Sequence, residues 1–456
     1  MRDIVLLIIF IGIFPPIFSR PDHGVRVFCW ISYMNPHRLC YGFASTFPFA
    51  QLTAVATLLG FLASKEPKKI PWSPSLVLIL LFLIWMFITT YNALNQVPAW
   101  VEFNQVWKIQ LMTFLIAIIM TDRERVDKLV WVMVVSLGYY GMKGGLGTII
   151  TGGSARIWGP EGTFIGGNNE IGLAILMTLP LARYLQLNAK AWYLRYGLLG
   201  GMALCVFGIL GTQSRGALVG MGAVMLFLIL KSRNKGPLLL ALAITVPLAL
   251  SVMPSSWYER MNTIKTYEQD GSAMGRIGAW MTAIKIANDR ITGGGYKVLH
   301  SWALFHTYAS KEVAQHDAHS IYFEVLGEHG YPGLILFLGI YITAWRHASK
   351  SIKLAGMDPE KKWIADLCSM IQVSLVAYAV AGAFLGLAMF DFYYNLIAVV
   401  AACHAIALKP SESAAAIAET STVAAPQRRR ASFVKPPIDK QPKPVANRHS
   451  SADVSV

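Results

Sequence analysis

The stretch PSLVLILLFLIWMFITTYNA, residues 74–93, contains twenty residues and no charge. A helix of about 20 mostly apolar residues can cross the hydrocarbon core of a bilayer, so this stretch predicts a membrane-spanning helix. Similar runs recur along the 456-residue chain, which is 55% hydrophobic and 14% charged, whereas a soluble globular chain has roughly 25% charged residues. The sequence therefore predicts an all-α, polytopic membrane protein.

We predict about twelve transmembrane helices from such runs, at residues 3–19, 46–64, 74–93, 105–121, 127–149, 170–187, 193–213, 216–231, 236–254, 321–345, 365–389 and 391–408. The first run has neither a basic segment before it nor a small-residue cleavage site after it, so we interpret it as a retained span. Residues 24–34 are too short for a comfortable span. We interpret them as a re-entrant or interfacial segment.

The net charge of +15 raises the question of a nucleic-acid partner. The basic residues, however, lie mostly in short loops between apolar runs, which is the positive-inside pattern of membrane proteins. We therefore expect no nucleic-acid partner. Twelve crossings with both termini in the cytoplasm place five basic clusters on the cytoplasmic side, at Lys65/Lys68/Lys69, Arg123/Arg125/Lys128, Arg183/Lys190/Arg195, Lys231/Arg233/Lys235 and Arg346/Lys350/Lys353/Lys361/Lys362.

One long loop, residues 255–320, interrupts the predicted spans, and this topology places it in the periplasm. Its stretch 273–290 predicts a helix with one apolar face, because four apolar residues recur at helical spacing: Ile277, Trp280, Met281 and Ile284. We expect this helix to lie on the membrane surface or to cap the bundle. The turn-forming sequence TGGGY follows it at 292–296.

The chain divides into a transmembrane domain at 1–408, which includes the loop, and a tail at 409–456. The tail is rich in Ala, Ser and Pro and carries three consecutive arginines at 428–430. Such a composition cannot bury enough apolar surface to fold, so we predict a disordered, basic cytoplasmic tail. Its charge indicates orientation or a weak attraction to anionic membrane lipids.

Arginines on the predicted outer side are informative because they run against the positive-inside bias. The sequence GTQSRG, residues 211–216, is the whole connection between two predicted spans. It places Arg215 at a helix start, where free backbone N–H groups favour an anion. Arg276 lies on the loop helix and Arg156 lies in the outer segment 151–170. The alternatives are snorkelling to the lipid headgroups for Arg215 and a solvated helix face for Arg276.

Asn168 and Asn169 stand at the start of the span predicted at 170–187. Asparagine is favoured at a helix N-cap, where its side-chain oxygen accepts a hydrogen bond from a free backbone N–H. The two residues either cap this helix or bind a sugar hydroxyl, and capping is the simpler interpretation.

The stretch HDAHSIYFEVLGEHGYPG, residues 316–333, combines three histidines with Asp317, Glu324 and Glu328. A metal site is one interpretation, but no HxxxH or HExxH spacing occurs and the five cysteines lack metal-ligand spacing. We therefore expect no metal and no cofactor. A single histidine acting as general base, with carboxylates positioning nearby groups, needs fewer coincidences. The alternative is a set of interfacial polar residues at a helix start.

Outer arginines and an outer histidine beside an apolar bundle predict a substrate with an anionic head and a lipid tail. A polyprenyl-diphosphate sugar fits, because arginine pairs bidentately with phosphate oxygens and can stabilise a departing diphosphate. An acceptor hydroxyl must lose a proton as it attacks, and a positioned histidine can accept it. The nearest acidic pair on the outer side, Glu268-x-Asp270, is a weak metal motif, so metal-independent glycosyl transfer is the simpler hypothesis.

The loop and the span after it carry RxxxW (276–280), GGG (293–295) and HSxYxExxxExGxxG (319–333), a pattern that resembles the O-antigen ligase/polymerase superfamily. SRG at 214–216 is similar to the upstream arginine motif of that superfamily. Six further segments are similar to a subgroup of exosortase-associated O-glycosylation ligases: ISYMNPHR (31–38), FPFAQ (47–51), SKEPKKIPW (64–72), KIQLMTF (108–114), KGG (143–145) and WGPEGTFI (158–165). The resemblance covers about residues 1–408.

The resemblance implies that His319 is the base and that Arg215 and Arg276 contact the donor diphosphate, and we add Arg156 to this group. It implies an inverting, metal-independent transfer of a glycan from undecaprenyl diphosphate to an acceptor at the periplasmic face of the bacterial inner membrane. This chain has His-Ser where the superfamily often has His-Asn. Further supporting residues are Tyr322, Glu324, Asn168 and Asn169.

The leading interpretation is an O-antigen ligase, which joins the polysaccharide to lipid A–core. An O-antigen polymerase and a protein O-oligosaccharyltransferase share these residues and remain alternatives, and the subgroup favours the second. A polysaccharide transporter belongs to a different class and places ionisable residues near mid-membrane on broken helices. Here they collect at the outer interface and in one loop, which favours an enzyme.

Overall fold

The computed structural model describes residues 1–232, 235–262, 271–309 and 315–410. Within these ranges the secondary structure is helical, without a strand, and Met1–Lys409 form one compact unit. The helices are α1 Arg2–Ile13, α2 Pro16–Ser19, α3 Pro21–Met34, α4 Phe49–Ala63, α5 Pro74–Tyr91, α6 Gln96–Ile119, α7 Arg123–Ile150, α8 Asn168–Asn188, α9 Trp192–Gly211, α10 Arg215–Lys231, α11 Lys235–Ser251, α12 Ser255–Asn262, α13 Gly271–Asp289, α14 Trp302–Tyr308, α15 Ile321–Ala355, α16 Lys362–Ala381 and α17 Asp391–Leu408.

Some sequence-based predictions fall on residues outside these ranges. They are the tail from residue 411 onward, Arg233 in the fourth basic cluster, and the pair Glu268-x-Asp270.

Eight segments of the described chain are long and apolar enough to cross a membrane, fewer than the twelve predicted. They are Arg2–Ser19, Pro74–Tyr91, Arg123–Ile150, Asn168–Asn188, Trp192–Gly211, Ile321–Ala355, Pro359–Phe384 and Asp391–Leu408. A ninth is added if α11 and α12, which are bent by 105° relative to each other, form one span. The other predicted spans correspond to two shorter helices, α4 with 15 residues and α10 with 17, and to α6, which carries several polar residues. The prediction of an all-helical, polytopic membrane protein is confirmed.

The centre of the bundle is formed by α8, α16 and α17, in which most residues are buried. Helix α15 packs against α5, α13, α16 and α17, while α16 also packs against α8 and α10. Helices that are apolar all round belong inside a large bundle. This arrangement brings the N-terminal ends of α10 and α15 and the loop helix α13 around the same central elements.

Helix α15 is broken at Gly330, whose φ of 66° is left-handed. Pro332 has no N–H and cannot bond the carbonyl of Glu328 four residues earlier, so the break leaves carbonyls without helical partners. The glycine segment that follows α13 supplies the missing donors, with Gly294 N to Gly327 O and Gly295 N to Glu328 O both at 2.9 Å. The GGG sequence therefore joins the loop to the break in α15.

The predicted loop helix is confirmed as α13, and its predicted apolar face is not the face that it buries against the bundle. Met281 is 54% exposed, and Ile277, Trp280 and Ile284 are only half-buried. The buried face is built instead from Ala279, Thr282, Ala283, Ile286 and Ala287. Small residues allow close packing: a β-carbon at Gly327 of α15 would lie 3.1 Å from that of Ala283. The face that packs against α15 is therefore built from small residues, and the apolar face of Ile277, Trp280, Met281 and Ile284 stays partly exposed.

Residues 24–34, interpreted as re-entrant or interfacial, belong to α3. This helix has 14 residues, buries most of its apolar side chains and packs against α4 and α7. At about 1.5 Å of rise per residue, 14 residues fall short of the roughly 30 Å hydrocarbon core.

The loops that carry the basic clusters contact one another at one end of the bundle. Arg125 forms two 2.8 Å hydrogen bonds with the carboxylate of Glu66, and Arg123 bonds Asn188. Lys231 bonds Gln372 at 2.7 Å, and Lys409 bonds the Thr121 carbonyl at 3.1 Å. The sequence predicts that loops with basic clusters alternate along the chain with loops that lack them. In the structure these two kinds of loop lie at two ends of the fold, and one end is rich in basic residues.

Candidate active site

The GTQSRG connection lies at the opposite end, between α9 and α10. Ser214 is the N-cap of α10 and accepts a hydrogen bond from Ala217 N at 3.2 Å. Gln213 adopts a left-handed backbone with φ of 54°. This sharp turn is what allows Arg215 to begin the next helix directly, as the sequence predicts.

Three side chains from other elements hold this connection in place. Asn168 donates to the Thr212 carbonyl at 2.9 Å, and Arg260 of α12 donates to the Gln213 carbonyl at 3.1 Å. Arg156 donates to the Gln213 side-chain oxygen at 3.3 Å and lies 5.9 Å from the centre of the Trp158 ring. Arg156 and Asn168, both predicted as site residues, therefore support the turn that carries Arg215.

The prediction that Asn168 caps its helix was wrong. The N-cap of α8 is Gly167, no side-chain cap bond is formed there, and Asn168 is the first helical residue. Its amide bonds Thr212 instead, across 44 residues of sequence. Asn169 is half-buried at the second helical position.

Arg215 and Arg276 line one cavity of about 280 Å³. The rest of its wall is largely apolar: Gly216, Val219, Ala273, Ile277, Trp280 and Phe384. We call this space the arginine cavity. Gly216 is needed there, because a β-carbon at this position would lie 2.9 Å from Cβ of Phe384. Two arginines on an apolar wall suit a ligand with an anionic group attached to an apolar chain.

His319 lies two residues before α15 and has a left-handed backbone with φ of 41°. The segment before it is held by a 2.7 Å hydrogen bond from Trp280 Nε1 to the Ala318 carbonyl, and Trp280 lines the arginine cavity. Trp280 also stacks on Phe323, with ring centres 4.8 Å apart. One side chain therefore connects the arginine cavity to the histidine segment.

The environment of His319 favours its neutral form. Burial lowers the pKa of the imidazole, and the positive charge of Arg276 lowers it further, against the opposing effect of Asp317. The ring of His316 lies 5.9 Å away, centre to centre. A neutral imidazole has a free ring nitrogen, so it can accept a proton at neutral pH.

The supporting residues predicted on α15 make structural contacts. Glu324 accepts a hydrogen bond from Ala388 N at 3.1 Å, and Tyr322 donates to the Ala379 carbonyl at 2.8 Å. Glu328 accepts from Lys297 N at 2.8 Å. The Glu324 and Asp317 carboxylates both approach Gly386, each 3.4 Å from where its β-carbon would lie. These groups fix the start of α15 and thereby the position of His319.

Residues 200–338 match the family described as O-antigen ligase. This matched region, which begins within α9 and ends within α15, belongs to the O-antigen ligase superfamily. Residues 1–189 match a family of unknown function, DUF5935. No curated protein matches the chain.

The ligase match contains Arg215, Arg276 and His319, whereas Arg156 and Asn168 belong to the region of unknown function. The contacts of Arg156 and Asn168 with the GTQSRG turn therefore join the two matched regions. Two of the residues that hold the Arg215 turn in place therefore lie outside the region that matches the ligase family.

The sequence-based interpretation missed Arg260 and Lys297. Arg260 holds the turn that bears Arg215, and Lys297 contacts Glu328 through its backbone. Both lie in the long loop, where a single basic residue is usually solvated, and no spacing pattern connects them with their partners.

His329, in contrast, is a structural residue: it is fully buried and its Nδ1 lies 2.7 Å from the Thr89 hydroxyl.

Proposed function

We propose that this protein is an O-antigen ligase, which transfers a polysaccharide from undecaprenyl diphosphate to lipid A–core. The observation that carries the proposal is the common cavity of Arg215 and Arg276, connected through Trp280 to His319. The match of residues 200–338 to the O-antigen ligase family supports the reaction class. The polysaccharide donor and the lipid acceptor are both held at the membrane.

The arginine cavity is the proposed site of the donor diphosphate. Its two guanidinium groups pair with phosphate oxygens, and its apolar wall accommodates the first part of the prenyl chain. Arg156 acts on this site through its hydrogen bond to Gln213 in the turn that carries Arg215. We therefore assign Arg156 a positioning role, and we give Asn168 the same role.

The reaction is a single displacement at the anomeric carbon of the donor sugar. The acceptor hydroxyl oxygen forms a bond to this carbon while the bond from the carbon to the diphosphate oxygen breaks, which inverts the configuration. His319 accepts the proton of the hydroxyl, and Arg215 and Arg276 stabilise the charge on the departing undecaprenyl diphosphate. All groups in this scheme come from the chain and the two substrates, and no metal takes part.

The proposed location is the bacterial inner membrane, with the active site facing the periplasm and the C-terminus in the cytoplasm. The prediction of a cytoplasmic N-terminus does not fit this orientation, because Arg2 bonds the Leu39 carbonyl at the end of the fold opposite the basic loops, whereas Ser19, at the other end of the first span, lies beside Lys65. The segregation of basic loops to one end of the fold, opposite the GTQSRG turn, supports this orientation. Lipid-linked donor and lipid-anchored acceptor can then both reach the site from the outer leaflet.

The test is transfer by the purified protein in nanodiscs, with a lipid-linked polysaccharide as donor. His319→Ala is expected to lower the rate by a factor of about 10²–10⁴, the usual contribution of a general base. His306→Ala is the matched control, because His306 is half-buried outside the lining of the arginine cavity and, among the described residues, hydrogen-bonds its own helix at the Trp302 carbonyl. Full transfer by His319→Ala would contradict the assignment of the base. EDTA should leave the wild-type rate unchanged.

The same assay separates the acceptor classes that share this chemistry. Lipid A–core, a second lipid-linked repeat unit and a pilin-like protein are offered in parallel. Transfer to lipid A–core is expected, while exclusive transfer to the repeat unit would indicate a polymerase. Exclusive transfer to the protein would indicate an O-oligosaccharyltransferase, the alternative suggested by the resemblance of the N-terminal segments.

A further inference from the structure

A second cavity lies on the side of the molecule that carries the GTQSRG turn, and it is polar. It has a volume of about 440 Å³, within the usual range of roughly 300–1,000 Å³ for small-molecule sites. Its polar lining includes Ser32, Asn35, His37, Arg38, Glu102, Gln105, Lys297 and Asp391. We call it the polar cavity. It shares no lining residue with the arginine cavity.

We propose that the polar cavity binds a sugar of the acceptor and places its hydroxyl group for attack. This inference rests on the proposed glycosyl transfer and adds to it the recognition of the second substrate. The reasons are the mixed charge of the lining, the buried polar groups on the floor and the connection to His319.

Charges of both signs line the polar cavity in equal number. Arg38 and Lys297 are cationic, Glu102 and Asp391 are acidic, and Lys297 Nζ lies 3.6 Å from Glu102 Oε1. A phosphate would meet two acidic side chains here, whereas a sugar presents hydroxyl groups that both donate and accept hydrogen bonds. Carboxylates accept and ammonium, guanidinium and amide groups donate, so the lining suits a polyhydroxylated, uncharged ligand.

The floor of the cavity is buried and its mouth is exposed. Asp391 is 2% exposed and accepts a hydrogen bond from Ser32, while Asn35 is 9% exposed. Arg38 and Gln105 are exposed at the surface. His37 has a buried Nδ1 without a hydrogen-bond partner among the described residues. Burial lowers the pKa of His37 to about 4, so at neutral pH this nitrogen belongs to a neutral ring and can bond a hydroxyl.

Lys297 connects the polar cavity to the start of α15. Its backbone N–H bonds Glu328, and its ammonium is close enough to Asp317 and Glu324 to interact with their charges. Burial lowers the pKa of Lys297, but the charges of Glu328 and Glu102 outweigh burial and raise it overall, so the side chain is cationic. Asp317, in turn, is two residues from His319 and acts on its charge.

Arg276 and Asp317 both act on the charge of His319, while Asp317 and Glu102 both act on the charge of Lys297, so His319 and Lys297 have Asp317 as a common electrostatic neighbour. In an inverting displacement the attacking oxygen and the leaving group lie on opposite sides of the anomeric carbon. The two cavities share no lining residue, so the diphosphate and the acceptor sugar can be bound at separate places, as such a displacement requires.

Two segments that carry the N-terminal resemblance line this cavity. ISYMNPHR (31–38) contributes Arg38, and WGPEGTFI (158–165) contributes residues 162–165, with a β-carbon at Gly162 lying 3.4 Å from Arg38 Nη1. Both lie in the region that matches the family of unknown function. This region would therefore supply most of the recognition of the acceptor.

The test measures sugar binding apart from catalysis. The full-length His319→Ala protein in nanodiscs is titrated with soluble core oligosaccharide released from lipopolysaccharide. Adding Glu102→Gln or Gln105→Ala to this background should weaken binding about tenfold, as expected for the loss of one hydrogen bond to a sugar hydroxyl. Gln105 is exposed, so its truncation leaves the fold intact even if Glu102→Gln does not.

The matched control is Glu124→Gln, which makes the same chemical change at another ion pair. Glu124 is exposed at the start of α7 and pairs with Lys128. Binding unchanged by both Glu102→Gln and Gln105→Ala would overturn the proposal. Absence of oligosaccharide binding to the His319→Ala parent would overturn it as well.

Kinetics in the otherwise wild-type chain separate the two substrates. Gln105→Ala should raise KM for the acceptor about tenfold and leave KM for the lipid-linked donor unchanged. A rise in the donor KM instead would contradict the assignment to the acceptor. If the wild type transfers nothing but binds the oligosaccharide through Glu102 and Gln105, the proposed function fails and the sugar site stands.

Discussion

At the scale of single residues, the site depends on backbone conformations that most side chains avoid. His319, with φ of 41°, and Gln213, with φ of 54°, are both left-handed without being glycine. Such conformations cost of order 1–3 kcal/mol and persist only where the surroundings enforce them. Around Gln213 the enforcing contacts are the hydrogen bonds of Arg156 and Arg260. Next to His319 the enforcing contact is the hydrogen bond from the Trp280 side chain to the Ala318 carbonyl.

The pH dependence of transfer should report the charges around His319. A general base must be neutral, so kcat/KM falls as pH drops through the pKa of the imidazole. Burial and Arg276 hold this pKa below its usual value of 6.5. The wild type is therefore expected to keep a constant kcat/KM through pH 7 and to lose activity only below 6.5. The measurement is the profile of log(kcat/KM) against pH.

Two substitutions should move this profile in opposite directions. Arg276→Gln removes a positive neighbour, so the pKa of His319 rises and the acid limb moves to higher pH. Asp317→Asn removes a negative neighbour, so the limb moves to lower pH. Arg276→Gln should also lower kcat/KM about a hundredfold, because a donor to the leaving group is lost. Profiles that coincide with that of the wild type would contradict the role of His319.

At the scale of secondary structure elements, the break in α15 determines where the long loop docks. The freed carbonyls of Gly327 and Glu328 accept from Gly294 and Gly295. The same glycine segment leads directly to Lys297, whose backbone N–H bonds the Glu328 side chain. The break therefore connects the proposed catalytic region with the polar cavity.

Gly330→Ala should destabilise the protein by disrupting this contact. A β-carbon at Gly330 would lie 2.1 Å from the Ile291 carbonyl oxygen, and its φ of 66° disfavours any side chain. We expect a loss of about 1–3 kcal/mol in stability, seen as a lower midpoint of thermal unfolding in detergent. Gly222→Ala on α10 is the control, since nothing lies within 4 Å of its added carbon. Equal midpoints for the two variants would contradict this account.

The sequence was sufficient to locate most elements and the residues that meet in the arginine cavity. Uninterrupted apolar runs predict helices because a lipid-exposed backbone must satisfy its own hydrogen bonds. The cost of charge at the membrane interface singled out Arg215. The buried face of α13 was not predictable in this way, because Ala279 and Ala283 contribute close approach rather than hydrophobicity. The pairing of Lys297 with Glu102 depends on a fold that brings together residues from the two matched regions.

At the scale of the whole molecule, the fold has one end rich in basic residues and one end with the proposed site. The contacts between Arg125 and Glu66 and between Lys231 and Gln372 belong to the first end. The contacts of Asn168 and Arg156 with the GTQSRG turn belong to the second. With a bilayer between these ends, each end would face a different compartment, and the positive-inside bias favours the cytoplasm for the basic end.

This orientation can be tested with two matched cysteine substitutions. Glu161 and Glu124 are both exposed glutamates, the first in a loop beside the polar cavity and the second at the start of α7, at the basic end. The native cysteines are all buried, so they contribute little background to labelling. In spheroplasts, a membrane-impermeant maleimide is expected to label Glu161→Cys and to leave Glu124→Cys unlabelled.

Permeabilised cells provide the control, because both substituted cysteines should then react. If only Glu124→Cys reacts in intact spheroplasts, the arginine cavity and His319 face the cytoplasm, where a periplasmic acceptor cannot reach them. If both react before permeabilisation, the two ends are not separated by the bilayer. Labelling of Glu161→Cys alone places the GTQSRG turn and the polar cavity on the outer side, where the proposed transfer to lipid A–core requires them.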